Sequence, residues 1–368
     1  MGLAYLMSLT SLVEKRILII DKEQKTINDH TWCYWAEKRG PFDTIAFRKW
    51  ENIEFISSYF HRVISLGNYR YFMVRAESFY SFIYKRLNQF PNIQFLYSPI
   101  TEITGDAQNA KIVTKHGTFT ADWIFDSTFL PQDLIVDEHK YSFLKQHFLG
   151  WQVSSEMPIF TPDKVTLFDF CIRQPGDMRF IYILPYDAHH ALVEFTLFSH
   201  DLLSKKDYRE VLSDYLGRKH INYQVDAEEF GVIPMTDQPF IRQPYHRVIN
   251  IGTKAGLVKP SSGYAFKRIQ DYNAGLVNSI LVKGQPEPGK ERNRRYQFYD
   301  RLFLDVLLHD GRQSEKIFSD LFQNNPIGRI FRFLDEEGAI FENLQLLNSL
   351  SPGPFLKAFF RKLTKNEE

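Results

Sequence analysis

Glu194 is the only carboxylate in the run Ala191-Leu-Val-Glu-Phe-Thr-Leu-Phe198. A carboxyl group set among apolar side chains holds its proton more tightly than one in water, which suits a proton donor. Read as a strand, the run puts Val193 and Phe195 on one sheet face, and Glu194 on the other with Leu192 and Thr196. The plain alternative is a solvent-facing acid on an antiparallel strand. A second group of residues points to a nucleotide. Arg16-Ile-Leu-Ile-Ile20 reads as a strand buried on both faces, and it ends at Asp21. In a dinucleotide-binding βαβ unit, an acid at that position bonds the ribose hydroxyls; the alternative is an ordinary strand-end acid. Gly2 lies 19 residues before Asp21, near the spacing of about 20 expected within such a unit. Met1 and Gly2 stand where a Gly-x-Gly-x-x-Gly turn should be ending, so the sequence reads as starting late or as truncated.

Further along, Val248-Ile-Asn-Ile-Gly252 runs into Thr253-Lys-Ala-Gly256 and Pro260-Ser-Ser-Gly263, and then into a helix. A strand, a glycine turn and a helix start make a second place for a phosphate or flavin. Gly252, Gly256 and Gly263 would allow close backbone approach there, or would serve turn geometry alone. Arg75, just before a helix, reads as a flavin contact or as a surface ion-pair partner. Asp237 follows a Pro-Met-Thr turn and reads as a site acid or as a turn cap. Trp32 and Trp35 suit a flat ligand or the core, and His30 reads as a structural histidine.

These residues need elements to position them. Residues 2–14 show helical spacing of Leu3, Leu6, Met7 and Val13. Strands are expected at 63–66 and 69–74, a helix near 77–90, and strands near 93–97, 111–115 and 118–126. From 148 to 198 come four alternating strands, at 148–154, 165–172, 179–185 and 191–198, which suggest an antiparallel sheet. A helix near 205–218 follows, then the returning strand and helix at 248–282. After the linker 283–289, residues 291–364 read as Phe- and Leu-rich amphipathic helices. The expected fold is α/β, a Rossmann-like FAD-binding fold with an inserted antiparallel sheet and a helical C-terminal region. The divisions are 1–143 and 236–290 for the cofactor domain, 144–235 for the inserted substrate sheet, and 291–368 for the helical end.

Composition bounds the function. The formal net charge is +1, so the basic footprint of a nucleic-acid binder is missing. Cys33 and Cys171 supply neither a disulfide framework nor a metal cluster, as suits a reducing cytoplasm. No run reaches the roughly 18 apolar residues of a membrane span, and no basic leader of a secretory signal is seen. The chain holds 33 Phe, 19 Tyr and 5 Trp, enough to line a large apolar pocket as well as a core. Near the end, Phe355, Leu356, Phe359 and Phe360 alternate with Lys357, Arg361, Lys362 and Lys365. A basic, Phe-rich amphipathic helix of this kind either lies in a membrane interface or packs on the core.

Six segments, in order, resemble one family. They are Asn28-Asp-His-Thr-Trp-Cys-Tyr-Trp35, Tyr71-Phe-Met-Val-Arg75, Gln146-His-Phe-Leu-Gly-Trp151 with Phe168-Asp-Phe170, Ala191-Leu-Val-Glu-Phe-Thr196, Ile233-Pro-Met-Thr-Asp237, and Gly252-Thr-Lys-Ala-Gly-Leu-Val-Lys-Pro-Ser-Ser-Gly-Tyr264. Together they are similar to the flavin-dependent lycopene cyclases of carotenoid biosynthesis, above all the bacterial β-cyclases. The family's Phe-Leu-Glu-Glu-Thr motif is matched with Glu194 on its first Glu and Phe195 in place of its second. The resemblance implies proton-driven, non-redox closure of the ψ-end groups of lycopene to β-ionone rings, with reduced FAD required and NAD(P)H as the electron source. It implies Glu194 and Asp237 as catalytic acids or cation stabilisers, the reduced flavin being the alternative acid. It implies Gly2, Asp21, Arg75, Gly252, Gly256 and Gly263 at the cofactor, and Trp32, Trp35, Trp151 and Tyr264 around the substrate. The expected location is cytoplasmic, peripheral to the inner face of the cell membrane, with a carotenoid substrate, a membrane surface, other carotenoid enzymes as possible partners and no nucleic acid. Two other readings stay open. One is a redox flavoenzyme on a lipid, such as a monooxygenase or polyprenyl reductase. The other is a non-catalytic carotenoid binder.

Overall fold

The structure, a computed structural model, describes residues 1–130, 134–219, 222–289 and 292–364. The apolar run at the start forms the strand Ile17–Asp21, paired in parallel with Ile93–Tyr97 so that Asp21 sits opposite Tyr97. The expected helix over 2–14 is shorter. It is α-helical only over Gly2–Met7 and resumes as a 3-10 turn over Ser11–Glu14, where the Thr10 hydroxyl accepts the Leu12 N–H. That hydroxyl competes with the helix for the backbone donor and ends it. The helix Ala76–Leu87 starts where Asn28 Oδ1 accepts the Ala76 N–H at 2.9 Å, a loose donor of the helix's first turn thereby satisfied. Ile124–Asp126 pairs in parallel with the returning strand Val248–Asn250. The long helix Phe266–Lys283 then shares an apolar layer with the first helix through Leu3, Ile249, Leu276 and Val277. The α/β part is thus closed by the chain's return, as the sequence pattern predicts.

The larger sheet has seven strands in the order Gln224–Thr236, Phe143–Ser154, His190–Ser199, Met178–Pro185, Lys164–Asp169, Asn52–Ile56, His61–Ser65. Its last two strands come from well before residue 144. All its pairings are antiparallel except Lys164–Asp169 with Asn52–Ile56. Alternation along the central strand His190–Ser199 sends Ala191, Val193, Phe195 and Leu197 to one face. There they pack against Tyr208, Leu212, Tyr215 and Leu216 of the helix Lys205–Arg218. Leu192 and Phe198 point to the other face, into the core shared with the C-terminal helices. This sheet is buried on both faces, so the central strand has no solvent side on which an acid could lie.

The C-terminal part comprises the helices Arg294–His309, Ser314–Asn324, Ile327–Leu334, Ile340–Asn348 and Pro352–Thr364. Phe318, Phe322 and Phe331 join Phe55, Phe168 and Phe180 of the sheet in one aromatic core. A buried ion cluster fastens these helices to the loop after Gly252. Lys259, 1% exposed, donates to both carboxylate oxygens of Asp300 at 2.7 and 2.9 Å and to Glu336 at 3.2 Å. Arg292 bonds the same two acids, and Arg268 bonds Glu336. Charges this deep are tolerated because each has opposite partners; removing one leaves the others exposed to the full desolvation penalty. Lys259→Met is therefore expected to cost about 3 kcal/mol or more, read as a lower urea midpoint in tryptophan fluorescence.

Candidate active site

One cavity of about 1140 Å³ runs between the α/β part, the seven-stranded sheet and the C-terminal helices. Met1, Gly2, Asp21, Ser127, Gly252, Thr253, Gly263 and Gln270 line one end. The middle is walled by Trp32, Trp35, Tyr71, Tyr182 and Tyr264, with Glu194 and Glu229 among them. The far end is hydrocarbon-like, with Phe168, Phe303, Phe318, Leu321, Phe322, Leu356 and Phe359.

The polar feature of the middle is a pair of carboxyl groups. Glu194 and Glu229 stand on the two strands that flank Phe143–Ser154, and both face Gly150 in register. A Cβ at position 150 would lie 2.8 Å from Glu194 Cγ and 3.2 Å from Glu229 Cγ. Glycine leaves the space in which the two side chains meet across the intervening strand. Burial, and after it the Glu229 charge beside it, pushes Glu194 well above the usual carboxylate range. Thr31 Oγ1 donates to Glu229 Oε2 at 3.0 Å.

Around the pair lies an aromatic wall. Tyr71 Oη is 2.7 Å from both Tyr182 Oη and Tyr264 Oη. Burial holds all three phenols, and the Cys33 thiol beside them, firmly protonated. Trp35 stacks on Phe331 at 4.6 Å between ring centres and meets Tyr264 edge-on at 4.6 Å. Its indole N–H donates to Asp335 at 3.1 Å, and burial lifts that carboxyl to about 6. Trp32 stacks on Phe266 at 5.3 Å. Such a wall offers π faces to a cation and little room for water.

The sequence-level candidates divide clearly. Gly2, Asp21, Trp32, Trp35, Glu194, Gly252, Gly263 and Tyr264 all line the cavity. Arg75, Trp151, Asp237 and Gly256 do not. Arg75 lies 3.5 Å over the Phe47 ring and 5.1 Å from Tyr186, held by cation–π contact behind the site. Trp151 is one residue out of phase with Gly150, so the strand's period of two sends it to the Lys205–Arg218 face. There its N–H donates to Glu228 at 3.2 Å. Asp237 accepts the Ser142 N–H at 2.6 Å and lies 3.6 Å from Arg301; it anchors a turn. Gly256, at φ +70°, lies against the Phe240 ring, which a Cβ would approach to 2.6 Å. Its role is packing and turn geometry. Missing from the sequence reading were Glu229, Gly150, Thr31 and the three tyrosine hydroxyls as a group. A lone glycine inside a strand is the one local signal that could have exposed the pair.

The cofactor end suits a nucleotide-bearing flavin on several observations. Asp21 ends its strand at the cavity wall. Gly252 at φ +63° and Gly263 at φ +73° bring bare backbone to the wall, and a Cβ at 263 would collide with Gln146 Oε1. Gln146 Oε1, Gln270 Oε1 and Asn273 Oδ1 are buried without a hydrogen-bond partner and belong to cavity-lining residues. Buried acceptors without partners are costly unless a ligand or water meets them.

Comparison with known proteins follows the same lines. A family model described as "Lycopene cyclase protein" matches residues 2–359. A lycopene beta-cyclase of Pseudescherichia vulneris is 22% identical over 361 residues, covering 93% of this chain and 89% of that one. The chloroplastic lycopene beta cyclase of Arabidopsis thaliana is 24% identical over 261 residues, covering 66% of this chain and about half, 51%, of that one. Among solved structures, Klebsiella pneumoniae HpxO complexed with FAD and uric acid superimposes with a TM-score of 0.60 at 13% identity, over 91% of this chain and 93% of that one. At that identity the likeness speaks for the fold, the Rossmann-like α/β flavoprotein architecture.

The crowding at Gly150 gives a test of the pair's geometry. Gly150→Ala is expected to cost about 1–3 kcal/mol through overpacking. The cost should shrink in a Glu229→Ala background, where one of the crowded side chains is gone. Thermal denaturation of the two single variants and the double variant checks this non-additivity.

Proposed function

Since the chain belongs to the lycopene cyclase family, we propose that it is a lycopene β-cyclase, closing the ψ-end groups of lycopene or a related carotenoid to β-ionone rings. The observation that carries this reading is Glu194: a carboxyl buried in the wall of a long aromatic cavity, where burial favours its protonated form. Proton transfer from Glu194 to the terminal double bond of the polyene makes a carbocation. Attack by the next double bond closes a six-membered ring, and loss of a neighbouring proton ends an isomerisation. The stacked and edge-on rings of Trp32, Trp35, Tyr71 and Tyr264 stabilise the positive charge. The apolar wall keeps water, which would quench the cation, away. Asp21, Gly252, Gly263 and the unpartnered amides of Gln146, Gln270 and Asn273 would hold FAD. When bound in reduced form, with NAD(P)H as electron source, it would supply electron density beside the cation. The redox alternatives lack a specific observation in their favour, and the buried acid pair argues for acid chemistry.

The far end of the cavity supports a membrane partner. No helix among the described residues is long and apolar enough to cross a membrane. Phe298, Leu356 and Phe359 line the cavity and are also 44%, 55% and 37% exposed, so they form its mouth. Beyond them Phe360 and Leu363 are exposed. Of the basic residues on the helix Pro352–Thr364, Lys357 is exposed, whereas the other two are turned inward. Arg361 bonds Asp305 and Asp310, and Lys362, 5% exposed, bonds Ser142. Lys365 lies outside the described residues. A helix that turns Leu and Phe outward at an apolar mouth and draws Arg361 and Lys362 inward fits insertion into lipid.

Two outcomes are expected. Glu194→Gln keeps the shape but has no acidic proton, so conversion of lycopene by purified protein with reduced FAD should fall about 100-fold or more. Thermal melts and flavin binding should be unchanged; turnover near wild type would remove Glu194 from the mechanism. Phe360→Glu with Leu363→Glu removes two side chains worth about 1.5–3 kcal/mol each on burial. Vesicle affinity by sedimentation should drop about tenfold or more, with little dependence on salt.

A further inference from the structure

Resting on the cyclase reading, we infer that Glu229 is the base of the reaction, and that Glu194 and Glu229, meeting across Gly150, pass a single proton through the substrate and back between themselves. The chemistry of ring closure sets the requirement. The carbon that receives the proton and the carbon that loses one are both bonded to the same ring carbon, so they lie two bonds apart. An acid and a base serving them must therefore be neighbours, and two glutamates facing Gly150 from either side are such neighbours.

Elimination leads to the same residue. Of the other titratable groups lining the cavity, the Cys33 thiol and the hydroxyls of Tyr71, Tyr182 and Tyr264 are kept protonated by burial, Asp29 is bonded by Tyr80 and paired with His30, and Asp21 lies at the nucleotide end. Asp300 also lines the cavity, but Lys259 and Arg292 occupy its carboxylate. Glu229 accepts the Thr31 hydroxyl at 3.0 Å and faces Glu194 across Gly150, which leaves it as the proton acceptor of the pair.

The steps balance without an outside acid or base. The Glu194 O–H bond breaks and a C–H bond forms at the terminal double bond. The electron pair of the second double bond forms the ring C–C bond. The adjacent C–H bond then breaks, its electrons make the new C=C bond, and its proton goes to a Glu229 oxygen. At the cation stage both carboxyl groups are ionised, and the positive ring beside them offsets their repulsion. Once the ring is neutral Glu229 holds the proton and only Glu194 is charged; burial gives Glu194 the tighter hold on a proton, and the proton crosses to it from Glu229. The pair ends the cycle as it began it. Because the base decides which neighbouring proton leaves, it also decides where the ring double bond falls.

The test uses full-length protein with reduced FAD and lycopene in vesicles, comparing wild type, Glu229→Gln and Glu229→Asp. The substrate is supplied unlabelled and deuterated at the carbon that loses its hydrogen. Glu229→Gln should lower turnover about 100-fold. Proton loss should become rate-limiting, with a primary deuterium isotope effect larger than in wild type. The remaining product should contain rings with the double bond displaced. Glu229→Asp should recover part of the turnover and the β-ring product. Near-wild-type turnover in the Gln variant overturns the inference. So does a slow Gln variant with an unchanged isotope effect and unchanged ring isomers, since that pattern marks a positioning residue. A wild type that forms no ring at all overturns the cyclase reading itself, and the inference falls with it.

Discussion

Two carboxyl groups with no cation beside them cannot both be charged in a cavity walled by tryptophan, tyrosine and phenylalanine, and much of this architecture serves that constraint. The pair exists only because a central strand carries glycine where its neighbours carry glutamate. The strand can be central only because the sheet is covered on both faces, by the helix Lys205–Arg218 on one and the C-terminal helices on the other. The C-terminal helices stay in place through the ion cluster of Lys259, Asp300, Glu336 and Arg292. Fully paired, buried charge of that kind fixes geometry more than it adds stability. The chain thus holds two kinds of buried charge. In the cluster each acid meets a base. In the site an acid meets an acid, and a single proton must reconcile them.

The motif Asn28-Asp-His-Thr-Trp32 gains a physical meaning from this arrangement. Asn28 holds the start of the helix Ala76–Leu87, Thr31 donates to Glu229, and Trp32 faces the cavity. Five residues therefore tie the α/β part to a strand of the large sheet about two hundred positions later. The link is short-range in space, and it joins the cofactor end to the acid pair.

What was legible in the sequence follows from the range of the interactions involved. The side of the strand on which Glu194 lies came from a period of two, and the structure puts Val193 and Phe195 opposite it. Asp21 at its strand end and the glycines after Val248–Asn250 were likewise local patterns. Trp151 was misplaced because a motif was read as a block, although adjacent strand residues point to opposite faces. The sequence leaves open whether Arg361 and Lys362 face a membrane or the core, because composition does not reveal Asp305 and Asp310, which draw them inward. Glu229 escaped notice because Gln224–Glu229 is polar and lacks the alternation of a strand. It becomes one only by pairing with Phe143–Ser154. The tyrosine hydroxyls come from three segments spread over nearly two hundred residues, a grouping that only the folded chain displays.

If the mouth opens into lipid as proposed, the outward-facing Leu356, Phe359, Phe360 and Leu363 have a kinetic consequence. An enzyme whose mouth opens into a bilayer meets its substrate by diffusion in a plane. The concentration that matters is then the mole fraction of polyene among the lipids, not the amount per volume of solution. Adding inert lipid at constant total substrate would slow each encounter, and stiffening the acyl chains would slow it again. Such an enzyme is paced by the fluid in which it floats.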